Sequence, residues 1–209
     1  MQEHYSNEQL LEALERSQKI GFLSPQPIAN QITHSRDFIS LIPKFKGRVL
    51  DLGAGGGLPS LVWLNIDPTL NITTIDAMKK RTDFLDEIRL SNASLIGRLE
   101  VLNGRAEALG HLVGYREKFE LVVARGFGPP SITAECASGF LKPGGMLVVS
   151  GRPENESERW NPEALAEVGL SFREVRGGEI SHAAVMDKVV ALDSKFPRRT
   201  PAMKKSPLW

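Results

Sequence analysis

The apolar run Val49-Leu50-Asp51-Leu52 ends in Gly53-Ala54-Gly55-Gly56-Gly57, with Leu58 and Pro59 directly after. The run has the length and composition of a buried strand. Glycine at 53, 55 and 57 strips every Cβ from the inner side of the turn that follows. A chain needs that where its backbone takes up positive φ, or where something bulky lies against it. A helix expected from about Leu58 would aim its first N–H groups at the same place. The stretch therefore predicts the first strand of an α/β sheet, with a ligand-binding turn at its C-terminal end.

The flanking sequence extends that sheet. Upstream, Ser6 with Gln9 fits a capping box ahead of Leu10, Leu11 and Leu14, so a helix is expected over 6–20. A second should run from about Ile28 to Ile42, where Pro43 ends it. Strands are expected at Val49–Leu52, Asn71–Asp76, Leu99–Asn103, Leu121–Ala124 and Met146–Ser150. Helices between them are expected at Leu58–Asn65, Lys79–Ser91, Glu107–Leu112 and Ile132–Leu141. Short strands alternating with helices imply right-handed crossovers and a parallel sheet. Lys142-Pro143-Gly144-Gly145 is expected as a tight turn before the fifth strand, and 151–159 as an exposed loop. Asn161 should cap a short helix from Pro162, and Phe172–Arg176 and Ala184–Leu192 are two final strands, the last antiparallel.

The dinucleotide fingerprint needs Gly or Ala at the sixth position from Gly53, and Leu58 stands there. The pattern present is Asp-x-Gly-x-Gly-x-Gly. Asp76 closes the second strand 25 residues after Asp51, where an acid can take both hydroxyls of a ribose. With the Lys-Pro-Gly-Gly turn, these features resemble class I methyltransferases that use S-adenosyl-L-methionine. The resemblance implies a Rossmann-like α/β fold: a mostly parallel seven-stranded sheet, helices on both faces and an N-terminal helical extension.

From about His34 onward the chain resembles a narrower group, the glucose-inhibited division protein B family, whose members methylate guanine N7 in 16S ribosomal RNA. Asp51 to Pro59 is similar to its glycine loop and Asn103-Gly104-Arg105-Ala106-Glu107 to its third-strand motif. Val123-Ala124-Arg125-Gly126 resembles its fourth-strand motif, and His34-Ser35-Arg36-Asp37-Phe38-Ile39-Ser40-Leu41 a helix ahead of the first strand. Lys195-Phe196-Pro197-Arg198-Arg199 and Lys204-Lys205-Ser206-Pro207-Leu208 are similar to its tail. The chain departs from the family in lacking an upstream Asn-Leu-Thr segment, in a glycine at 56, in Ser60 for glycine, and in Ser150 where lysine is common.

The resemblance implies cofactor contacts from Asp51, Gly53, Ala54, Gly55, Gly57, Leu58, Asp76, Ala77, Met78, Ala106, Glu107 and Arg125, with Arg125 also the catalytic residue. Phe127 is a candidate to stack on an extruded base, or a core contact. Arg198, Arg199, Lys204 and Lys205 are the candidate RNA contacts. Charge agrees: residues 195–209 hold five cations and no acid, leaving 21 Lys+Arg against 25 Asp+Glu elsewhere, a net of −4 in an overall balance of +1. The prolines at 197, 201 and 207 predict that this tail stays extended and packs poorly. The expected units are a helical extension over 1–45, an S-adenosyl-L-methionine-binding domain over 46–194 and the tail. The expected partner is 16S ribosomal RNA or a small-subunit particle.

Several chemistries have no residues to carry them. Guanine N7 has an in-plane lone pair and no proton, so its methylation needs alignment rather than a base. Gly126-Phe127-Gly128-Pro129-Pro130 lacks the Asn before the prolines that marks many amino-group methyltransferases. The four histidines are scattered and Cys136 is alone, so no metal and no internal disulfide are expected. The lone Cys136, a polar N-terminus and the lack of a long apolar run predict a cytoplasmic protein with no membrane contact, and a monomer is expected. Two other functions remain open: a small-molecule methyltransferase on the same fold, and an S-adenosyl-L-methionine-binding, RNA-associated module without transfer activity.

Overall fold

A computed structural model describes residues 4–152 and 156–209; part of the expected 151–159 loop lies outside them. The seven strands are β1 (Val49–Leu52), β2 (Ile72–Asp76), β3 (Leu99–Asn103), β4 (Phe119–Ala124), β5 (Leu141–Gly151), β6 (Leu170–Gly177) and β7 (His182–Lys188). They form one sheet in the order β3-β2-β1-β4-β5-β7-β6. Pairing is parallel from β3 through β5, and β7 is antiparallel to both β5 and β6. The order reverses between β1 and β4, so consecutive crossovers diverge there and leave a crevice at the strands' C-terminal ends.

Alternation along the strands feeds a core on each face. Val49, Leu121 and Val123 pack with α1 (Asn7–Lys19), α2 (Ile28–Ser40), α3 (Ser60–Ile66) and α4 (Lys79–Ser91) through Leu10, Phe38, Leu61 and Phe84. Leu50, Leu52, Val122 and Ala124 turn to the other face, onto α5 (Ala106–Leu109), α6 (Pro130–Ser138), α7 (Pro162–Glu167) and α8 (Thr200–Lys205). The sequence signals at helix starts hold. The Ser6 hydroxyl accepts from Gln9 N while the Gln9 side chain accepts from Ser6 N, and Asn161 Oδ1 accepts from Ala164 N.

Three local expectations are corrected. The helix after the glycine turn begins at Ser60 rather than Leu58, because Gly57 and Leu58 still belong to the turn. Lys142–Gly145 is an excursion inside β5: Phe119 pairs with Leu141 and Leu121 with Met146, so the four residues bulge from a strand that continues past them. The tail is packed. Phe196 and Met203 are buried, Thr200–Lys205 form the short helix α8 with Pro201 in its first turn, and the irregular backbone before it takes its donors from side chains. Arg116 Nη1 donates to Phe196 O at 2.8 Å, Arg116 Nη2 to Leu192 O at 3.0 Å, and the His111 ring lies 2.8 Å from Pro197 O.

The outer edge at β6 carries Arg173, Glu174 and Arg176, and its register shifts between Phe172 and Glu174.

Candidate functional site

The glycine turn is fixed to β2 by Gly53 N and Ala54 N, which donate to Ile75 O at 2.9 and 3.0 Å. Its glycines answer to different neighbours. Gly53 sits at φ +81°, and a Cβ there would lie 2.7 Å from the Phe127 ring. At Gly56, the glycine outside the family pattern, a Cβ would come 2.4 Å from Ser17 Oγ. Ser17 Oγ donates to Gly56 O at 2.9 Å, so α1 is seated directly on the turn.

Two carboxylates stand beside it. Asp76 Oδ2 accepts from Gly55 N at 3.0 Å and Oδ1 from Met78 N at 2.8 Å, with Arg81 Nη1 3.5 Å away. Asp51 is 1% exposed. Ser60 Oγ donates to its Oδ2 at 2.6 Å, while Oδ1 has no partner among the described residues. Burial drives the Asp51 pKa up to about 7; Ser60 and Arg125 oppose the rise and Asp76 adds to it. Arg81 Nε is likewise buried and unpartnered.

A cavity of about 350 Å³ opens at these strand ends, within the range of small-ligand sites. It brings together six of the expected residues: Gly53, Asp76, Ala77, Met78, Ala106 and Glu107. Phe127 joins them, its ring against Gly53. Asp51, Ala54, Gly55, Gly57 and Leu58 do not line the cavity, and Ala54 and Leu58 are buried in the core shared with the N-terminal helices. Cys136 is on its wall, with burial pushing the thiol pKa up. Burial works to raise the Glu107 carboxyl, but donation from Thr200 Oγ1 and the nearby Arg105 hold it below the ordinary value. Thr200, Met203 and Lys204 also line this cavity. Nothing near them in sequence announced that, since the contact depends on how a distant segment folds back.

Arg125 faces elsewhere. It lines a second cavity of about 500 Å³ with Gln31, His34 and Ile180, and its Nη1 donates to Ser35 Oγ at 2.7 Å. Arg125 and Gly126, which lines the first cavity, are consecutive, so the two cavities flank the end of β4. Burial and the Arg125 charge both lower the His34 pKa, which keeps the imidazole neutral near pH 7. Asp37 pins α2 to the β6–β7 turn by accepting from Ser181 N at 2.7 Å, Ile180 N at 2.9 Å and Glu179 N at 3.2 Å.

The expected RNA contacts divide. Arg199, Lys204 and Lys205 are exposed. Arg198 is committed inside the protein: Nη2 donates to Glu135 Oε2 at 2.7 Å and Nε to Oε1 at 2.9 Å, and Glu135 is buried. Its fork already has a carboxylate partner, so it is removed from the set of free cations. No group of three or more His, Cys, Asp or Glu side chains able to hold a metal occurs among the described residues. No described helix is long and apolar enough to cross a membrane.

Comparison with known proteins gives one family. The family model described as rRNA small subunit methyltransferase G matches residues 8–170. The chain is 35% identical over 191 residues to a ribosomal RNA small subunit methyltransferase G from Caldanaerobacter subterraneus subsp. tengcongensis, covering 85% of this chain and 77% of that one. Among solved structures it is similar to the T. thermophilus 16S rRNA N2 methyltransferase RsmC in complex with AdoMet and guanosine. That likeness has a TM-score of 0.52 and 18% identity, over 77% of this chain and 40% of that one. It is also similar to M. jannaschii TYW2 in complex with AdoMet, with a TM-score of 0.56 and 14% identity over 82% and 80% of the two chains. At such identities the structural likeness speaks for the fold alone.

Proposed function

The chain belongs to the rRNA small subunit methyltransferase G family and is a methyltransferase, and from that premise we propose that it methylates guanine N7 in 16S ribosomal RNA with S-adenosyl-L-methionine as donor. The observation that carries the cofactor half is the cavity at the β1–β4 reversal with its incomplete polar set. Arg81 is on the cavity wall with a buried Nε that has no acceptor among the described residues, and a hydroxyl of the cofactor would supply one. Asp76 stands at the end of β2, suited to a ribose diol, and Ala106 and Glu107 supply the wall for an adenine. Bound there, the cofactor supplies an electrophilic methyl group on a sulfonium sulfur.

The chain's own task is then to hold the acceptor in line. Guanine N7 offers its lone pair without deprotonation, so no residue has to act as a base. Positioning of this kind contributes up to roughly 7–11 kcal/mol in ideal cases. The second cavity, reached past Arg125, is the natural entry for the base, with Arg125 donating to its acceptor edge or to a flanking phosphate. N7 in A-form RNA lies in a groove too narrow for side chains, so the target must be unpaired or extruded. Arg199, Lys204 and Lys205 would meet phosphates in the cytoplasm, where small-subunit RNA is found.

The test is transfer of labelled methyl to small-subunit particles and to deproteinised 16S RNA from cells lacking the gene. Mass spectrometry then maps the product. The expected result is one N7-methylguanine per 16S RNA; label on an exocyclic amine, or on no RNA at all, overturns the reading.

A further inference from the structure

The C-terminal segment carries the cationic face expected of an RNA arm, yet its inner side closes the cofactor cavity. Thr200, Met203 and Lys204 belong to that cavity's lining. The segment is fastened on both sides of them. Upstream, Arg198 forks onto the buried Glu135 and Arg116 holds the carbonyls of Phe196 and Leu192. Downstream, Trp209 Nε1 donates to Arg159 O at 2.9 Å, and its ring lies 6.3 Å from that of Trp160. A helix of six residues such as α8 is not stable alone, so these anchors hold it in place.

Between the anchors Thr200 makes a polar bridge to a residue expected at the cofactor. Its hydroxyl donates to Glu107 Oε1 and accepts from Arg105 Nη2 at 2.9 Å. Arg105 Nε also lies 3.3 Å from Glu107 Oε1, so the three side chains form a closed triangle at the cavity wall. A solvated phosphate arm has no need of this arrangement.

We propose that α8 is a clasp on the cofactor site, with Thr200 as a positioning residue that orients the Glu107 carboxylate for the adenosyl end of S-adenosyl-L-methionine. The inference rests on the cofactor reading above, and it gives the tail a role that needs no RNA.

The experiment is calorimetric titration of the full-length protein with S-adenosyl-L-methionine and with S-adenosylhomocysteine, in the absence of RNA. Thr200→Val should weaken both ligands about tenfold, the equivalent of one lost hydrogen bond. Thr200→Ser should restore wild-type affinity to within about twofold, which a purely structural role of the threonine methyl would not allow. In the transfer assay Thr200→Val should raise KM for the donor while kcat at saturating donor stays near wild type. Should Thr200→Val fail to fold by circular dichroism, Arg105→Gln breaks the same triangle from an exposed side chain and should cost about threefold. Wild-type affinity in the folded variants overturns the clasp, as a tail that only touches RNA predicts that result. If the wild-type protein itself binds neither ligand, the cofactor reading fails and the clasp with it.

Discussion

Asp51→Asn should gain stability relative to wild type as pH rises from 5 to 8, at a residue expected to contact the cofactor. Burial lifts the Asp51 pKa from 3.8 to about 7 in the folded chain. Unfolding returns it to its ordinary value, so between those limits the native state holds a proton that the unfolded chain releases. Stability therefore falls as pH rises through the window and levels off above about 7. From pH 5 to pH 8 the titrating part spans about two units, each about 1.36 kcal/mol, or roughly 3 kcal/mol. Asn at 51 can still accept from Ser60 and does not titrate. Any fixed cost of its buried amide is the same at every pH and cancels. The stability difference between variant and wild type should thus grow by roughly 3 kcal/mol in the variant's favour between pH 5 and 8. In a chain of this length that widens the Tm gap by roughly 6–12 °C. Thermal melts of both proteins across that range, at one ionic strength, measure it. Parallel Tm curves would show that the carboxyl is not held protonated by the fold, and the reasoning from its burial would be wrong.

Asp76→Ala should weaken S-adenosyl-L-methionine by about tenfold or more, since its oxygens also hold Gly55 N and Met78 N; an unchanged binding isotherm would remove the ribose from this strand end. Glu135→Ala removes the partner of the partly exposed Arg198 fork and should cost about 1–3 kcal/mol by denaturant unfolding, against no change if the tail docks weakly. Gly56→Ala places a Cβ 2.4 Å from Ser17 Oγ and should cost about 1–3 kcal/mol, with a wild-type Tm arguing that α1 is not seated on the turn. Arg199→Gln with Lys205→Gln should weaken 16S RNA binding and flatten its log–log salt dependence by about 0.7–0.9 per lost phosphate contact; equal slopes would place the RNA elsewhere.

Sequence resolves this fold where the determinants are local. The Ser6–Gln9 box, the Asn161-Pro162 start and the short apolar run of β1 each act within a few residues, and each was legible. The glycine turn was legible for the same reason, but the uses of its glycines were not. Gly53 is opposed by Phe127, and Gly56 by Ser17 and Leu23, contacts that exist only after distant elements converge. Arg125 shows the limit of a motif. Its position at the end of β4 is encoded locally, whereas the cavity it faces is set by α2 and Ser35. The tail misled most. Prolines do argue against helix and strand, but they say nothing of side-chain donors such as Arg116 that can satisfy an irregular backbone from outside.

The bulged, charged strand at β6 makes one of the sheet's two margins a poor template for another chain. An open sheet margin is a template on which a second chain can crystallise its own backbone. Here the template is spoiled twice over: the register shift breaks the row of free backbone groups, and any incoming strand would have to desolvate Arg173, Glu174 and Arg176. At high protein concentration that margin therefore works as a colloidal safeguard, disfavouring runaway strand addition along this edge.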